Sequence, residues 1–207
     1  VIAILSLALG IGANTSMFSI MDQILLRATQ ANNPGELVLL TAEGPKRGHL
    51  SAGNPGGSES VFSLPMFRDL EAKQTVLTGL AGYRGAGANI AHKGQTFAAE
   101  ILEVSGSYFP VLGLNATHGR LLTPADDKNK DGHPVVVLSH PAWVKRLNSN
   151  PNIVNDTIIV NGVAMTVVGV GPADFQGITL GSRPEAFVPV SMHGLMQPRA
   201  PSMDKRD

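Results

Sequence analysis

The residues of this chain whose types could hold a metal ion are an acidic run and six histidines. The acidic run, DKNKDG at residues 127–132, has oxygen-bearing side chains at alternate positions and glycine at its sixth position. That pattern is typical of the opening of a calcium-binding loop. The twelfth position, counted from Asp127, requires a bidentate acid but is Leu138, and the two flanking helices are not predicted. The sequence therefore favours a solvated turn over a calcium site.

The histidines and glycines do not complete any other known motif. No two histidines have the spacing that would place two metal ligands on one face of a helix, and no H-E-x-x-H occurs. The sequence also lacks a G-x-S-x-G elbow and a P-loop, and Gly85-Ala86-Gly87 is not followed by the helix of a dinucleotide-binding loop. We therefore predict no enzyme, no cofactor and no metal, and we assign no catalytic, cofactor-binding or metal-ligating residue. The six histidines are His49, His92, His118, His133, His140 and His193.

Charge and cysteine content exclude two further classes of protein. Sixteen basic residues balance sixteen acidic ones, and the basic residues form no run, so binding to nucleic acid is not expected. The chain has no cysteine, which excludes disulfides and thiolate metal sites and is compatible with either side of a membrane.

The first 26 residues are the most unusual stretch of the chain. No ionisable side chain occurs from Val1 to Met21, and the first charges are Asp22 and Arg27. A helix of that length spans roughly 30 Å, which matches the hydrocarbon core of a bilayer. We therefore predict a transmembrane helix over residues 1–27. A signal peptide would have a basic start and a cleavage motif, and a buried core helix would have a charged face.

Small residues recur at helical spacing along this predicted helix. Small side chains let the backbones of membrane helices approach closely, because burial of apolar area gives no driving force inside lipid. The pattern predicts a helix that packs against other membrane helices, with a lone anchor as the alternative. The candidate packing face consists of Ala3, Ser6, Gly10 and Ala13.

The rest of the chain shows short helix and strand patterns. Ser63, Thr123 and Ser139 each stand before a proline in the first turn of a predicted helix, as N-cap residues do. Asn161-Gly162 supplies the positive φ angles of a two-residue hairpin turn. Helices are predicted over 64–74 and 107–112, and after Thr123 and Ser139. Strands are predicted over 36–41, 77–91, 96–104, 135–138, 157–160, 163–170 and 186–190.

Four stretches together resemble the N-terminal part of a MacB/FtsX-like ABC transporter permease, with the acidobacterial-type duplicated permeases as the nearest subgroup. They are LALGIGANTSMFSIMDQILLR (7–27), EVSGSYFPVLGLNATHGRLLTPADD (103–127), VVVLSHPAWVKRLNSNPNIV (135–154) and TIIVNGVAMTVVGVGPADFQG (157–177). The chain departs from the family pattern at Asp22, Leu147 and Asn155-Asp156.

The resemblance implies an α+β fold: one transmembrane helix, then a mixed α/β periplasmic core domain with an inserted, mostly β subdomain, truncated here. On this interpretation residues 1–27 form the helix, 28–193 the incomplete MacB-like periplasmic core domain, and 194–207 a polar tail or truncation point. The implied location is the bacterial inner membrane, with most of this chain in the periplasm.

The implied function is that of a permease subunit. It would transmit ATP-driven conformational change from a separate cytoplasmic ABC ATPase to the periplasmic domain, for export or mechanotransmission. The implied assembly is a homodimer or pseudo-dimer, with a further periplasmic partner. The alternative is a stand-alone, membrane-anchored periplasmic binding or adhesion module.

Overall fold

The computed structural model describes residues 8–12, 14, 15, 17, 18, 31–41, 62–179, 181–198 and 203. The chain divides into two compact units, Val1–Gln30 and Ala31–Asp207. The described residues of the first unit are helical and exposed, and the Thr15 hydroxyl donates a hydrogen bond of 2.8 Å to the carbonyl oxygen of Ile11. Within the described parts of the chain, no helix is both long enough and apolar enough to cross a membrane. The transmembrane helix over 1–27 stays a prediction.

The second unit combines short helices with one sheet. Its described α-helices are α1 (Leu64–Lys73), α2 (Tyr108–Leu112), α3 (His140–Leu147) and α4 (His193–Met196). Its strands are β1 (Tyr83–His92), β2 (Gln95–Val104), β3 (His118–Gly119), β4 (Val135–Leu138), β5 (Thr157–Val160), β6 (Val163–Val170) and β7 (Ala186–Pro189). Short 3-10 helices lie at Pro34–Glu36, Pro124–Asp127 and Val190–Met192. This content is the mixed α/β composition that the sequence predicts.

The sheet closes on itself. The strand order is β3-β6-β4-β7-β2-β1-β5, and β5 also pairs with β6, so six strands form a ring. β2 pairs with β7 in parallel, as β4 does with β6, and the remaining pairs are antiparallel. The pairing of β1 with β5 is short, because it joins only Ile90 to Val160 and Ala91 to Ile159. This short pairing closes the ring.

Two hydrophobic cores lie on opposite faces of the sheet, because successive side chains of a strand point to opposite faces. On β2, Ile101 belongs to the first core and Leu102 to the second. On β7, Ala186 and Val188 face the first core, while Phe187 faces the second. The second core contains a cluster of aromatic rings with centroids 5.2–6.4 Å apart: Tyr108, Phe109, Phe175 and Phe187.

Most local predictions are confirmed. Asn161 and Gly162 have φ angles of 48° and 85° and connect β5 to β6. Ser63 and Ser139 accept hydrogen bonds from the amides of Met66 and Ala142, as N-caps of α1 and α3. The predicted helix 64–74 ends one residue earlier, at Lys73. The predicted strand 77–91 begins six residues later than predicted, at Tyr83, because residues 77–82 have no strand structure.

One predicted strand is wrong. Residues 36–41 do not form a strand, because Glu36 ends a 3-10 helix that begins at Pro34, and residues 37–41 have no regular structure. Val38 and Leu39 are 66% and 69% exposed, so the short apolar run is not buried against a neighbouring strand. A run of this length does not specify a strand unless a sheet edge lies beside it.

A separate inserted subdomain is not distinguished among the described residues. All seven described strands join one sheet, and Ala31–Asp207 forms one compact unit.

Candidate functional site

Two buried carboxylates hold the segment that follows β7. Glu103 lies near the end of β2 and is fully buried, and Asp127 ends the 3-10 helix Pro124–Asp127 with a side chain only 1% exposed. Both bind the segment 191–197, and each is paired with an arginine from another element. We call this group the polar network; it consists of Arg68, Arg84, Glu103, Asp127, Ser191, His193 and Gln197.

The first half of the polar network surrounds Glu103. The Nδ1 atom of His193 lies 2.9 Å from Oε2 of Glu103, and Nη1 of Arg84 lies 3.1 Å from the same oxygen. The side-chain amide of Gln197 donates a hydrogen bond of 3.1 Å to Oε1 of Glu103. A carboxylate removed from water requires such partners, because an unpaired buried charge is very costly. Glu103 therefore joins β1 and β2 to α4.

The second half surrounds Asp127. Its Oδ2 atom accepts hydrogen bonds from the guanidinium group of Arg68 and from the amide of Gly106, the latter at 3.2 Å. Its Oδ1 atom accepts a hydrogen bond of 2.9 Å from the amide of Ser191. Arg68 also forms an ion pair of 3.1 Å with Glu71. Burial alone would lower the pKa of Arg68, but the hydrogen bonds and charges of Asp127 and Glu71 raise it. Asp127 therefore joins α1 to the segment after β7.

A capping box fixes the position of Asp127. The Asp126 carboxylate accepts hydrogen bonds of 2.8 Å from the amide and the hydroxyl of Thr123. Arg120 binds the same carboxylate with two nitrogens, at 2.7 and 2.8 Å. Burial would raise the pKa of Asp126, but the hydrogen bonds from Arg120 and Thr123 lower it overall. This turn also requires Gly106, since a Cβ atom there would lie 2.5 Å from the carbonyl oxygen of Thr123.

An open cleft of about 400 Å³ lies beside the polar network. The first turns of α1 form one wall with Leu64 and Arg68, and the segment after β7 forms another with Ser191 and His193. Among the described residues, no group of three or more metal-ligating side chains is assembled. The arrangement is suited to holding structural elements in register rather than to a covalent reaction, because its carboxylates are already occupied by cations and amides.

A second polar cluster lies where the ring of strands closes. Nε2 of His92, at the end of β1, lies 2.9 Å from Oδ2 of Asp156, which precedes β5. Nζ of Lys93 lies 3.3 Å from the same oxygen. The hydrogen bond from His92, supported by the Thr157 amide and by Lys93, lowers the pKa of Asp156 to about 2. These contacts reinforce the short pairing of β1 with β5.

Three stretches with candidate motifs lie wholly or partly among the described residues: the acidic run, the candidate packing face and Gly85-Ala86-Gly87. Asp127 is buried and ion-paired, so the solvated turn predicted for the acidic run is wrong at its first residue. Of the candidate packing face, Gly10 is helical and exposed, whereas Ala3, Ser6 and Ala13 lie outside the described residues. Gly85-Ala86-Gly87 lies within β1, which leads into a hairpin and not into a helix.

The described histidines do not come together at one site. His193 belongs to the polar network, and His92 to the cluster with Asp156. The rings of His118 and His140 lie against Trp143, with centroid distances of 4.8 and 5.4 Å. His49 lies outside the described residues.

Sequence reasoning missed Glu103, Arg84 and Arg68. The sequence feature that could have identified Glu103 is its position as a single acid within the apolar run Ile101–Val104 of a predicted strand. A buried acid of this kind implies a cation or a donor nearby. Its partners, however, come from positions 19 and 90 residues away, and a single sequence does not show which they are.

Comparison with known proteins identifies the family. The model of the MacB-like periplasmic core domain matches residues 1–204. The chain belongs to this family. The resemblance to MacB/FtsX-like permeases is therefore confirmed, and the chain is a MacB-like periplasmic core domain of an ABC-type permease. No curated protein matches the chain in sequence.

Solved structures share the fold of this MacB-like domain. The periplasmic region of MacB from Actinobacillus actinomycetemcomitans is 23% identical, with a TM-score of 0.53, over 64% of this chain and 57% of that one. The extracellular domain of the noncanonic ABC-type transporter YknZ from Gram-positive bacteria is 16% identical, with a TM-score of 0.52, over 65% of each chain. The match thus spans less than two thirds of either solved domain. The first of these is a periplasmic region, and the second is an extracellular domain of a transporter.

Proposed function

We propose that this chain is part of the permease subunit of an ABC-type transporter. In this role it transmits ATP-driven conformational change from a separate cytoplasmic ATPase across the membrane to its extracytoplasmic domain, for export or mechanotransmission. The observation that supports the proposal is the family match over residues 1–204. The membrane helix over 1–27, the bacterial inner-membrane location, the dimeric assembly, the periplasmic partner and membership of the acidobacterial-type duplicated subgroup belong to the same proposal.

The geometry of the domain suits a mechanical role. A sheet closed into a ring, with a packed core on each face, deforms little under load, because close-packed interiors have low compressibility. The polar network joins α1, the hairpin β1–β2 and the segment after β7. A displacement of one of these elements would therefore be passed to the others through Glu103 and Asp127, rather than absorbed between them.

The alternative, a stand-alone binding or adhesion module, would use the cleft of about 400 Å³ beside the polar network. That cleft combines apolar side chains such as Leu64 with cationic ones such as Arg68. A module of this type would bind its ligand without an ATPase.

Co-purification with the ATPase tests the proposal against this alternative. The full-length protein would be expressed with the ABC ATPases of the same genome, one at a time, extracted in mild detergent and purified through a tag on the permease. We expect the ATPase to co-purify and its rate of ATP hydrolysis to change when the permease is present. An ATPase variant lacking its catalytic carboxylate is the control, and it should co-purify without hydrolysing ATP. Purification of the permease alone, with no effect on any ATPase, would favour the stand-alone module.

A further inference from the structure

A pocket of about 330 Å³ lies between the tip of the β1–β2 hairpin and the end of α3. It shares no residue with the polar network or with the open cleft beside that network. Its volume is within the range of sites that bind small ligands. We call it the cationic pocket; its lining includes Lys93, Gln95, Phe97, Arg146, Asn148 and Asn150.

The ionisable side chains that line the cationic pocket are all basic. The side chains of Arg146 and Lys93 are 45% and 68% exposed, and His92 also belongs to the lining. Glu185 and Asp156, the acids that pair with these residues, are not among the described residues that line the pocket. A ligand that enters the pocket therefore meets basic groups first, which favours an anionic ligand over a cationic one.

Two contacts hold Arg146 in place and leave part of its guanidinium group available. Its Nε atom donates a hydrogen bond of 3.0 Å to Oε1 of Glu185, and its guanidinium carbon lies 5.0 Å from the centroid of the Phe97 ring. Neither Nη atom donates a hydrogen bond to another described residue. A planar guanidinium group matches two oxygens of a carboxylate or phosphate. Because Arg146 is already oriented, an anion that binds there costs little further side-chain entropy.

The turn that carries Lys93 suggests a use for its ammonium group. Lys93-Gly94 has φ angles of 46° and 82°, close to the 48° and 85° of Asn161-Gly162 in the other hairpin. Asparagine is favoured at the first position of such a turn, because it tolerates the left-handed region better than lysine does. Residues held in the left-handed region are frequent at binding sites. The lysine thus places a cation at the pocket where an asparagine would fit the backbone better.

Side-chain amides complete the cationic pocket. Those of Gln95 and Asn148 form no hydrogen bond with another described residue. The Asn150 side chain accepts one hydrogen bond, of 3.1 Å, from the amide of Asn152. Each amide side chain offers two donors and an acceptor, so it can bind a hydroxyl group, which also donates and accepts. The pocket therefore suits an anion that carries hydroxyl groups.

We propose that the cationic pocket binds a sugar that carries a carboxylate or a phosphate group. The two Nη atoms of Arg146 bind two oxygens of the anionic group, and Lys93 supplies a second positive charge. The amides of Gln95 and Asn148 bind the hydroxyl groups. This inference does not depend on the permease proposal, because the pocket lies wholly within Ala31–Asp207 and its use requires no ATPase.

Calorimetric titration of the full-length protein in lipid nanodiscs, without any ATPase, tests the site. The probes are D-glucuronate, D-glucose 6-phosphate and D-glucose, which differ only in the group on one carbon atom. We expect one of the two anionic sugars to bind about tenfold more tightly than D-glucose, or more. Acetate and inorganic phosphate, which lack the sugar, should bind more weakly than the corresponding anionic sugars. Equal affinity for the three sugars, or no binding of either anionic sugar at millimolar concentration, would overturn the proposal.

Three variants make the result specific. Arg146→Ala should weaken the binding of the preferred sugar about tenfold or more. Arg146→Lys should also weaken it, because an ammonium group lacks the planar pair of N–H groups. Arg183→Ala, at an exposed position outside the pocket, is the matched control and should leave the affinity unchanged. The unfolding midpoints of the three variants should stay close to that of the wild-type protein, which verifies that they are folded.

The remaining outcomes decide against the site or against one of its contacts. Equal losses in Arg146→Ala and Arg183→Ala would show an effect of net charge alone and overturn the proposal. Wild-type affinity in Arg146→Lys would overturn the contact through two nitrogens. Tighter binding of triglutamate than of either anionic sugar would assign the pocket to an acidic peptide instead. Failure of the sugars to bind would leave the permease proposal standing, and failure of the ATPase to co-purify would leave the site standing.

Discussion

Nδ1 of His193 lies 2.9 Å from Oε2 of Glu103, although the two residues are 90 positions apart in the sequence. Both side chains are buried, and Arg84 binds the same carboxylate. The contact fastens the segment after β7 to the end of β2. It is one of the contacts of the polar network, and its loss should destabilise the domain.

Glu103→Ala should destabilise the domain strongly. Removing one partner of a buried charge pair costs about 3–5 kcal/mol, because the remaining charges lose their compensation. Partial exposure of Arg84 places the expected cost near the lower limit, about 3 kcal/mol. Urea unfolding, followed by the fluorescence of the single tryptophan, Trp143, measures the effect. Glu100→Ala, at an exposed position of the same strand, is the control and should cost under about 1 kcal/mol.

Asp127→Asn should also destabilise the domain, by about 2–3 kcal/mol, because the charged hydrogen bonds from Arg68, Gly106 and Ser191 are weakened. The exposed Asp174→Asn is the matched control and should have little effect.

Millimolar calcium should leave the unfolding midpoint of the wild-type protein unchanged, since the oxygens of Asp127 are already occupied. A calcium-dependent rise in the midpoint, abolished by Asp127→Asn, would instead support a calcium loop.

Stability should fall at acidic pH, partly through Asp156. Its pKa is about 2 in the folded protein, mainly because of the hydrogen bond from His92, and about 3.9 in an unfolded chain. A carboxyl whose pKa is lowered by folding stabilises the protein above the unfolded pKa. That stabilisation is lost as the pH falls through the folded pKa. We therefore expect the unfolding midpoint in urea to decrease between about pH 4 and pH 2. Asp156→Asn should show a smaller decrease; equal pH slopes in the two proteins would refute the assignment.

Gly162→Ala should destabilise the β5–β6 hairpin through the backbone alone. Gly162 has a φ angle of 85°, and a Cβ atom there would meet no other atom within 4 Å. Placing an L-residue in the left-handed region costs roughly 1–2 kcal/mol. Gly35→Ala is the control, because Gly35 has equally open space but no positive φ, and it should be neutral or slightly stabilising. The thermal unfolding midpoints of the wild-type protein, Gly162→Ala and Gly35→Ala measure the cost of a side chain at a positive φ against its cost at an ordinary φ.

The local elements could be predicted from the sequence because their signals are local. Asn161-Gly162 determines a hairpin, and Ser139 followed by Pro141 determines a helix start, without reference to the rest of the chain. The apolar run 36–41 does not form the strand that its composition predicts, because a strand also requires a neighbouring edge, which the run itself does not encode. The family resemblance identified the class of protein, and the family match confirms it.

The polar network could not be predicted, because its contacts are long-range. Arg68 and Asp127 are 59 positions apart, and no spacing rule relates them. The acidic run around Asp127 resembled a solvated turn, whereas Asp127 is buried by α1 and the segment after β7. The closure of the sheet by β5 and β6 likewise depends on tertiary packing rather than on a local pattern.

The most direct test of the central claim is whether ATP moves this domain. A spin label at Gln95 of the full-length permease, and one at the equivalent position of the second domain of the assembly, would be measured in lipid nanodiscs with the ATPase. We predict that the distance distribution shifts when ATP is trapped, and that it does not shift with an ATPase variant that cannot bind ATP. Identical distributions in the nucleotide-free and ATP-trapped states would contradict a role in transmitting ATP-driven conformational change.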